Sequence, residues 1–406
     1  MSKSCKAVLK ELQHRGVTVI NPKTIYLDPK IDPERISREN VVLYPGTRLI
    51  GASTLIGPGC VIGEEGPVTL NDCALGKRVR FKGGYATKSA FLDDVAVGSG
   101  AQIREGCLME EESSAAHCVG LKQTVLMPYA TVGSLVNFCD GLLAGGTNRR
   151  DHSEVGSGFV HFNFTPAGTK ATASLFGDVP RGVFLHEKRI FLGGQVGVVG
   201  PRRVGYGAVV GAGSVLRDDV GEDEFIVTGP PSDIHRTVRP AEQVGVAKLG
   251  RVVGQTIDYI GQLRTLRLWY TTVRSAFCGR FRLGGLLNQV CQRVLDDAVA
   301  ERAKRLREYT TVVEPIDDAG RQLVAHIDQL LQAATSVELP VDDDVVKAVT
   351  DPALQRSALY LQVMAALDDD TLAAGQDWLQ AAVDTVGRAA AATVPDLPFG
   401  RWASAR

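Results

Sequence analysis

The sequence predicts an all-β solenoid, a parallel β-helix, followed by an all-α region, and three observations predict it. Leu192, Val198, Val204, Val210 and Leu216 fall strictly every six positions. Small residues follow at Gly193, Gly205 and Gly211, with Val199-Gly200 one step off the pattern. Beyond about Ala241 the rhythm changes to apolar residues spaced three and four apart. A six-residue period matches neither the roughly 3.6 of an α-helix nor the alternation of an isolated strand, whereas three such units make one triangular coil. Each aliphatic residue then points into the prism, and the small residue after it lets the backbone turn the corner.

Residues 3 to 15 carry Val8, Leu9 and Leu12 among lysines and glutamates, which predicts a short amphipathic helix closed by Gly16. Residues 1–16 are assigned to it. Between 17 and 48 the β-rich pieces VTVI, TIYL and VVLY alternate with turn signals, so the chain enters the solenoid there. Hexads follow at Ile50-Gly51, Ile56-Gly57 and Ile62-Gly63, and resume in other phases at Leu75-Gly76, Val97-Gly98, Val132-Gly133 and Val155-Gly156. Changes of phase mark loops that leave the core, where solenoids build their sites. The longest expected interruptions are Glu110 to Gln123, Gly145 to Glu154 and Phe164 to Ile190. The solenoid is assigned to 17–236. Five helices are expected over 241–395, with Asp342 and Asp368 near helix N-termini where the dipole favours them. Residues 396–406 are expected to fray.

Across 406 residues, 45 basic side chains balance 46 acidic ones, so no net field favours nucleic acid or an anionic membrane as partner. Eight scattered cysteines form neither CxxC pairs nor a disulfide framework. No apolar run of signal-peptide or membrane-spanning length occurs, and the expectation is a soluble cytoplasmic protein with reduced thiols.

Over about 150 to 236 the motifs become specific. TGPPSDIHR resembles the GxPAKxxR signature with which many sugar and serine acyltransferases leave the helix. HFNFTPAGTKATASLFGD, ending at Asp178, resembles a CNYDGxxKxxTxIGD element, and FLGGQVGVVGP resembles FVGSxxxLVAP. On these residues the chain resembles the left-handed β-helix (hexapeptide-repeat) acyltransferase family. Within it the likeness is to the acetyltransferase domain of bifunctional UDP-N-acetylglucosamine pyrophosphorylase/glucosamine-1-phosphate N-acetyltransferases. The Gly-rich LxGGxGTRM loop of their nucleotidyltransferase half has no counterpart here, so pyrophosphorylase activity is not expected.

The resemblance implies a homotrimer with sites at subunit interfaces. It implies transfer of an acetyl or similar group from acetyl-CoA, as co-substrate, to an amino sugar carried as a sugar phosphate or nucleotide sugar. The family's KAGH is matched by Ser114-Ala115-Ala116-His117, which makes His117 the general base, and the motif's Asn and Lys fall on Asn163 and Lys170 as substrate ligands. Phe164 replaces the motif's Tyr, and Glu110-Glu111-Glu112 stand where the family carries basic residues.

The residues' own chemistry agrees with these roles. Imidazole suits proton removal from an attacking amine because it titrates near the working pH, and SSAAHCVG leaves room around His117. His161 faces out towards substrate if Val160 and Phe162 face in. His152 lies on a polar loop. Arg149 and Arg150 are candidate substrate-anion holders, as are Arg202 and Arg203. Lys188 and Arg189 would meet the phosphates of coenzyme A. Gly193, Gly194, Ala212 and Gly213 satisfy corner geometry and would also bed a pantetheine arm. Two other classes of function remain in view. One is a non-catalytic trimeric scaffold or nucleotide-sugar sensor. The other is a zinc enzyme resembling the γ-class carbonic anhydrases, using His117, His152, His161 and His186, although the paired HxxxxH spacing of that class is missing. No metal is expected in the preferred site.

Overall fold

A computed structural model describes residues 3–162, 172–229, 233, 235, 242–244, 246–356 and 359–395. The predicted parallel β-helix followed by helices is the architecture observed. Eleven short strands stack in parallel on one side of a prism, from Thr18–Val19 to Phe225–Ile226. Along this first face the leading residue of each strand points out and the next points in. Leu43, Ile62, Phe81, Val97, Ala115, Val132, Val155, Leu192 and Val210 therefore form one buried column.

The other two faces belong to a single 16-stranded sheet, because Gly120–Leu126 and Asn137–Leu143 run unbroken around the corner between them. Gly120 and Leu121 pair with Gln102 and Ile103 on the second face, while Val125 and Leu126 pair with Leu108 and Met109 on the third. Aromatic rings thicken the interior, with Phe81 against Phe91 at 5.8 Å and Phe138 against Phe176 at 5.4 Å, both edge to face. Burying each such side chain contributes about 1.5–3 kcal/mol.

Two of the three expected interruptions leave the prism. Between Ala144 and Ser153 the chain makes an excursion closed by an antiparallel bridge from Gly146 to His152. After Phe176 a second excursion carries a short helix over Val179–Gly182, whose N-cap Asp178 accepts a hydrogen bond from the Arg181 amide at 2.9 Å. The third expected excursion, Glu110 to Gln123, is instead a regular coil. Ser114–Ala115 takes the next rung of the first face between Ala96–Val97 and Thr131–Val132. Ser113 and Ala115, both small, fill the interior positions there without breaking the ladder. His117 therefore sits at an ordinary corner.

The N-terminal helix, α1 (Lys3–His14), closes at Gly16, whose φ of 101° suits glycine. Past the solenoid, α3 (Val246–Thr272) and α4 (Gly284–Val312) are the long helices, joined by a 3₁₀ segment over Arg274–Arg280; α2 is the Val179–Gly182 turn. They are followed by α5 (Asp318–Ala325), α6 (Ile327–Ser336), α7 (Asp343–Arg356), α8 (Tyr360–Met364) and α9 (Asp369–Ala391). Seven helices thus stand among the described residues of the region where periodicity predicts five. Of the two predicted helices that divide, one splits at His326 into α5 and α6 and the other supplies α7 and α8.

These helices lie along the solenoid. Helix α4 packs on the third face against Ala74–Leu75, Ala90–Phe91 and Leu108–Met109. Helix α3 sits between α4 and α9, with Trp269 fully buried 5.2 Å from Phe184 and 6.1 Å from Trp378. The excursion bearing α2 is the anchor: the Val179 amide donates to Gln262 Oε1 at 2.8 Å, and Tyr360 Oη donates to the Val183 carbonyl at 3.1 Å. Gly375 of α9 passes so close to Phe184 that a Cβ there would lie 2.4 Å from the ring. Arg302 of α4, buried, and Asp140 of the solenoid, half-buried, complete the seam at 2.6 Å. No helix among the described residues is long and apolar enough to cross a membrane.

Candidate functional site

The corner between the first and second faces is built from small residues. Successive coils turn there through Gly98-Ser99-Gly100, Ala116-His117-Cys118, Gly133-Ser134-Leu135, Gly156-Ser157, Gly193-Gly194 and Gly211-Ala212-Gly213. At Gly156 and Gly193 the stacking demands glycine, since a Cβ would come within 2.7 Å of the Gly194 nitrogen and 2.6 Å of the Ala212 nitrogen. What remains is an open edge along which an extended ligand meets mostly backbone.

His117 stands on this edge, exposed to solvent, with Nδ1 2.7 Å from Ser134 Oγ of the following coil. Beside it a groove is lined by the outward residues Ser114, Thr131 and Glu154 of the first face, together with the backbone of Gly133, Gly156 and Gly194. Ser114 Oγ and Thr131 Oγ1 are 3.1 Å apart, and Thr131 and Glu154 are neighbours in register. Arg149 reaches the same surface from the first excursion. Its Nη1 donates to the carbonyls of Glu112 and Tyr129 at 3.0 and 2.9 Å and to Thr131 Oγ1 at 3.2 Å.

The structure thus sets His117 and Arg149 beside one groove, through Ser134 and Thr131 respectively, and sets Gly193, Gly194, Ala212 and Gly213 on the same corner three and four coils further along. Ala212 and Gly213 are exposed, and a Cβ added at Gly194 or Gly213 would point into open space. Lys188 and Arg189 lie on the opposite edge of the first face. There Lys188 Nζ is 2.6 Å from an Asp223 carboxylate oxygen, which raises its pKa, and Arg189 pairs with Asp151 at 3.4 Å. Arg150 is exposed, and its amide donates to Asn148 Oδ1 at 2.8 Å.

His161 departs from the outward orientation expected of it. The residue adopts φ of 60° and the sheet register shifts between Val160 and Phe162, so Val160 and His161 are both buried in succession. Its Nδ1 lies 2.9 Å from Ser174 Oγ. Asn163 and Lys170 lie outside the described residues, as do Phe164 and most of TGPPSDIHR. Burial lowers the Arg202 guanidinium, and Arg203 is committed to Asp258 of α3. His152 Nδ1 meets the Arg149 carbonyl and His186 Nε2 the Met364 carbonyl, both in hydrogen-bonding geometry. The four histidines thus have separate partners, and among the described residues no three His, Cys, Asp or Glu side chains of this chain gather as metal ligands.

The acidic run at 110–112 has a different partner from a substrate. Glu110 is fully buried, 3.0 Å from Arg274 Nη2, and accepts from Tyr270 Oη at 2.6 Å. Glu111 accepts from Arg274 Nη1 at 2.7 and 3.0 Å. The guanidinium also stacks over the Tyr360 ring at 3.9 Å and the Tyr270 ring at 4.7 Å. Burial pushes the Glu110 carboxyl up to about 7, against the pull of Arg274. Glu110 and Glu111 are the socket for the helical layer, which accounts for acid where the resembling family carries base.

Ser114, Thr131, Ser134 and Glu154 were not singled out from the sequence. The signal was present: the residue before each inward aliphatic of the first face must point out, as Ser114-Ala115, Thr131-Val132 and Glu154-Val155 do.

The fold and this edge define a hexapeptide-repeat protein related to the acetyltransferases of that class. Its solenoid is similar to the bifunctional protein GlmU of Thermotoga maritima, at 32% identity over 213 residues, which are 52% of this chain and 42% of the relative. Likenesses of the same kind are seen with bifunctional protein GlmU of Trichlorobacter lovleyi, 27% identical over 54% of this chain and 43% of the relative, and of Mycolicibacterium gilvum, 28% identical over 60% and 44%. The matches span less than half the length of these relatives. No family model matches the chain. A crystal structure of a mutant GDP-perosamine N-acetyl transferase from Caulobacter crescentus, in complex with CoA and GDP-perosamine, aligns over 58% of this chain and 67% of its own at 12% identity. Its TM-score of 0.10 is too low to bear on the site.

Proposed function

We propose that the protein transfers an acyl group, acetyl in the first instance, from a coenzyme A thioester to the amine of an amino sugar bound as its phosphate or nucleotide conjugate. The observation that carries this reading is His117 tied to Ser134 on the small-residue edge, beside a groove of hydroxyls and one carboxylate. When Nδ1–H donates to Ser134 Oγ, the Nε2 lone pair is the free base. The amine nitrogen attacks the thioester carbonyl, a C–N bond forms and His117 takes the amine proton. The C–S bond then breaks with its electron pair on sulfur, and the imidazolium returns the proton to the thiolate. The pantetheine arm runs along Gly193, Gly194, Ala212 and Gly213, while Asn163, Lys170, Arg149, Arg150 and His161 act on the acceptor side and Lys188 and Arg189 on the nucleotide of the coenzyme. His161, being buried, acts there by shaping the wall through Ser174. The working form is a homotrimer in the cytoplasm.

Free thiol released from acetyl-CoA is the direct assay, run with glucosamine 1-phosphate, free glucosamine and an amino sugar linked to a nucleoside diphosphate. Acceptor-dependent thiol release with at least one of them is expected. No release with any acceptor, together with tight binding of a nucleotide sugar, would favour the second reading, a sensor or scaffold. That reading draws on the helical layer, which occupies the third face and engages Glu110 and Glu111.

A further inference from the structure

We infer that Glu154 recognises the amine of the acceptor, so that the groove selects a primary amine over a hydroxyl; this deepens the acyl-transfer reading and rests on it. Glu154 takes the outward position of its strand, directly beside Thr131, and lines the groove with Ser114, Ser134 and Ser157. No hydrogen bond or ion pair holds its carboxylate among the described residues.

Three cations of the surrounding surface are otherwise engaged. Arg149 Nη1 is bound to two carbonyls and to Thr131 Oγ1, Arg189 to Asp151 and Lys188 to Asp223. Among the described residues Glu154 is thus the one acidic side chain lining the groove, beside hydroxyls that match those of a sugar ring.

A carboxylate is an acceptor only, so a ligand must supply the donors. An ammonium supplies three, with a charge, and charge-assisted hydrogen bonds are about twice as strong as neutral ones. A hydroxyl supplies one donor and no charge. Attack needs the neutral amine, so the ammonium sheds one proton to water before it meets the thioester. Glu154 continues to accept from a remaining N–H, which holds the nitrogen in the groove that Ser134, the partner of His117, also lines.

The test is calorimetric binding to the full chain of glucosamine 1-phosphate and of glucose 1-phosphate, which carries a hydroxyl in place of the amine, alongside the thiol-release assay. The native protein is expected to bind the amine at least about tenfold tighter. Glu154→Gln is expected to erase that ratio and to raise KM for the amine acceptor about tenfold with the KM for acetyl-CoA unchanged, while Glu154→Asp retains part of the preference. A native protein without amine preference, or a Glu154→Gln variant that keeps it, overturns the inference whatever the turnover. Amine preference without any thiol release overturns the acyl-transfer reading and leaves recognition by Glu154 standing.

Discussion

Arg274, from the segment that joins the two long helices, donates from Nη1 to both carboxylate oxygens of Glu111 on the solenoid, at 2.7 and 3.0 Å. Its side chain is only 6% exposed, and Glu110 lies on its other side. One guanidinium therefore faces the carboxyl groups of both Glu110 and Glu111, the first of them fully buried. Such a pair is weakly stabilising as a whole, but removal of one partner leaves the others charged and buried.

Arg274→Ala is accordingly expected to cost about 3–5 kcal/mol. Urea unfolding followed through the fluorescence of Trp269 and Trp378, which lie on helices held by this contact, reads the loss. A midpoint within experimental error of the native one would show that the seam is held elsewhere.

Glu110 also gives the fold a pH dependence. Burial raises its carboxyl from 4.5 to about 7, so between those values the folded state holds a proton that the unfolded chain has lost. The group's contribution is fully present below pH 4.5 and declines as the pH rises through about 7. The melting temperature should fall from pH 5.5 to pH 8, and Glu110→Gln, which cannot ionise, should flatten that slope. A variant whose melting temperature keeps the native slope would remove Glu110 as its source.

His117→Ala should lower acyl transfer by about 10² to 10⁴-fold, the range of a general base. Because the ring is exposed and hydrogen-bonds to Ser134 alone among the described side chains, the unfolding free energy should change by less than about 0.5 kcal/mol. Activity equal to native would exclude the ring as base.

Burial pushes the thiols of Cys60, Cys73 and Cys107 up to about 12, whereas Cys118, next to His117 on the open edge, is exposed. An aromatic disulfide reagent at pH 8 should label Cys118 in the folded protein and reach the other three only after unfolding. Acyl-CoA bound along the edge should slow the labelling of Cys118. Equal rates at all four positions would show that the corner does not have this exposure.

The solenoid was legible because a six-residue rhythm is a local property: Leu192 to Leu216 announces inward positions whatever surrounds them. The helical layer was legible only as helices. Its docking depends on Arg274, Tyr270 and Arg302 meeting Glu110, Glu111 and Asp140, contacts more than 150 residues apart in sequence that periodicity does not encode. For the same reason Glu110 to Gln123 reads as a break: three acids beside two serines look like a loop, yet the acids have an external partner and the coil stays regular. His161 was misread because a single left-handed residue resets the alternation that Val160 and Phe162 suggest. His117, Gly193 and Ala212 did fall on one edge, since corner positions recur with the hexad.

The seam fixes something a bare hexapeptide protein leaves free, namely its length. Each added coil lengthens a prism by roughly 4.8 Å, the spacing of neighbouring strands. Here Glu111 and Asp140 are gripped by side chains of one continuous helical layer, so the two grips work like the jaws of a caliper. Duplication or loss of a coil between them would displace one jaw by more than an ion pair tolerates. The number of coils between those two residues is therefore set from outside the repeat, by helices that contain none of it.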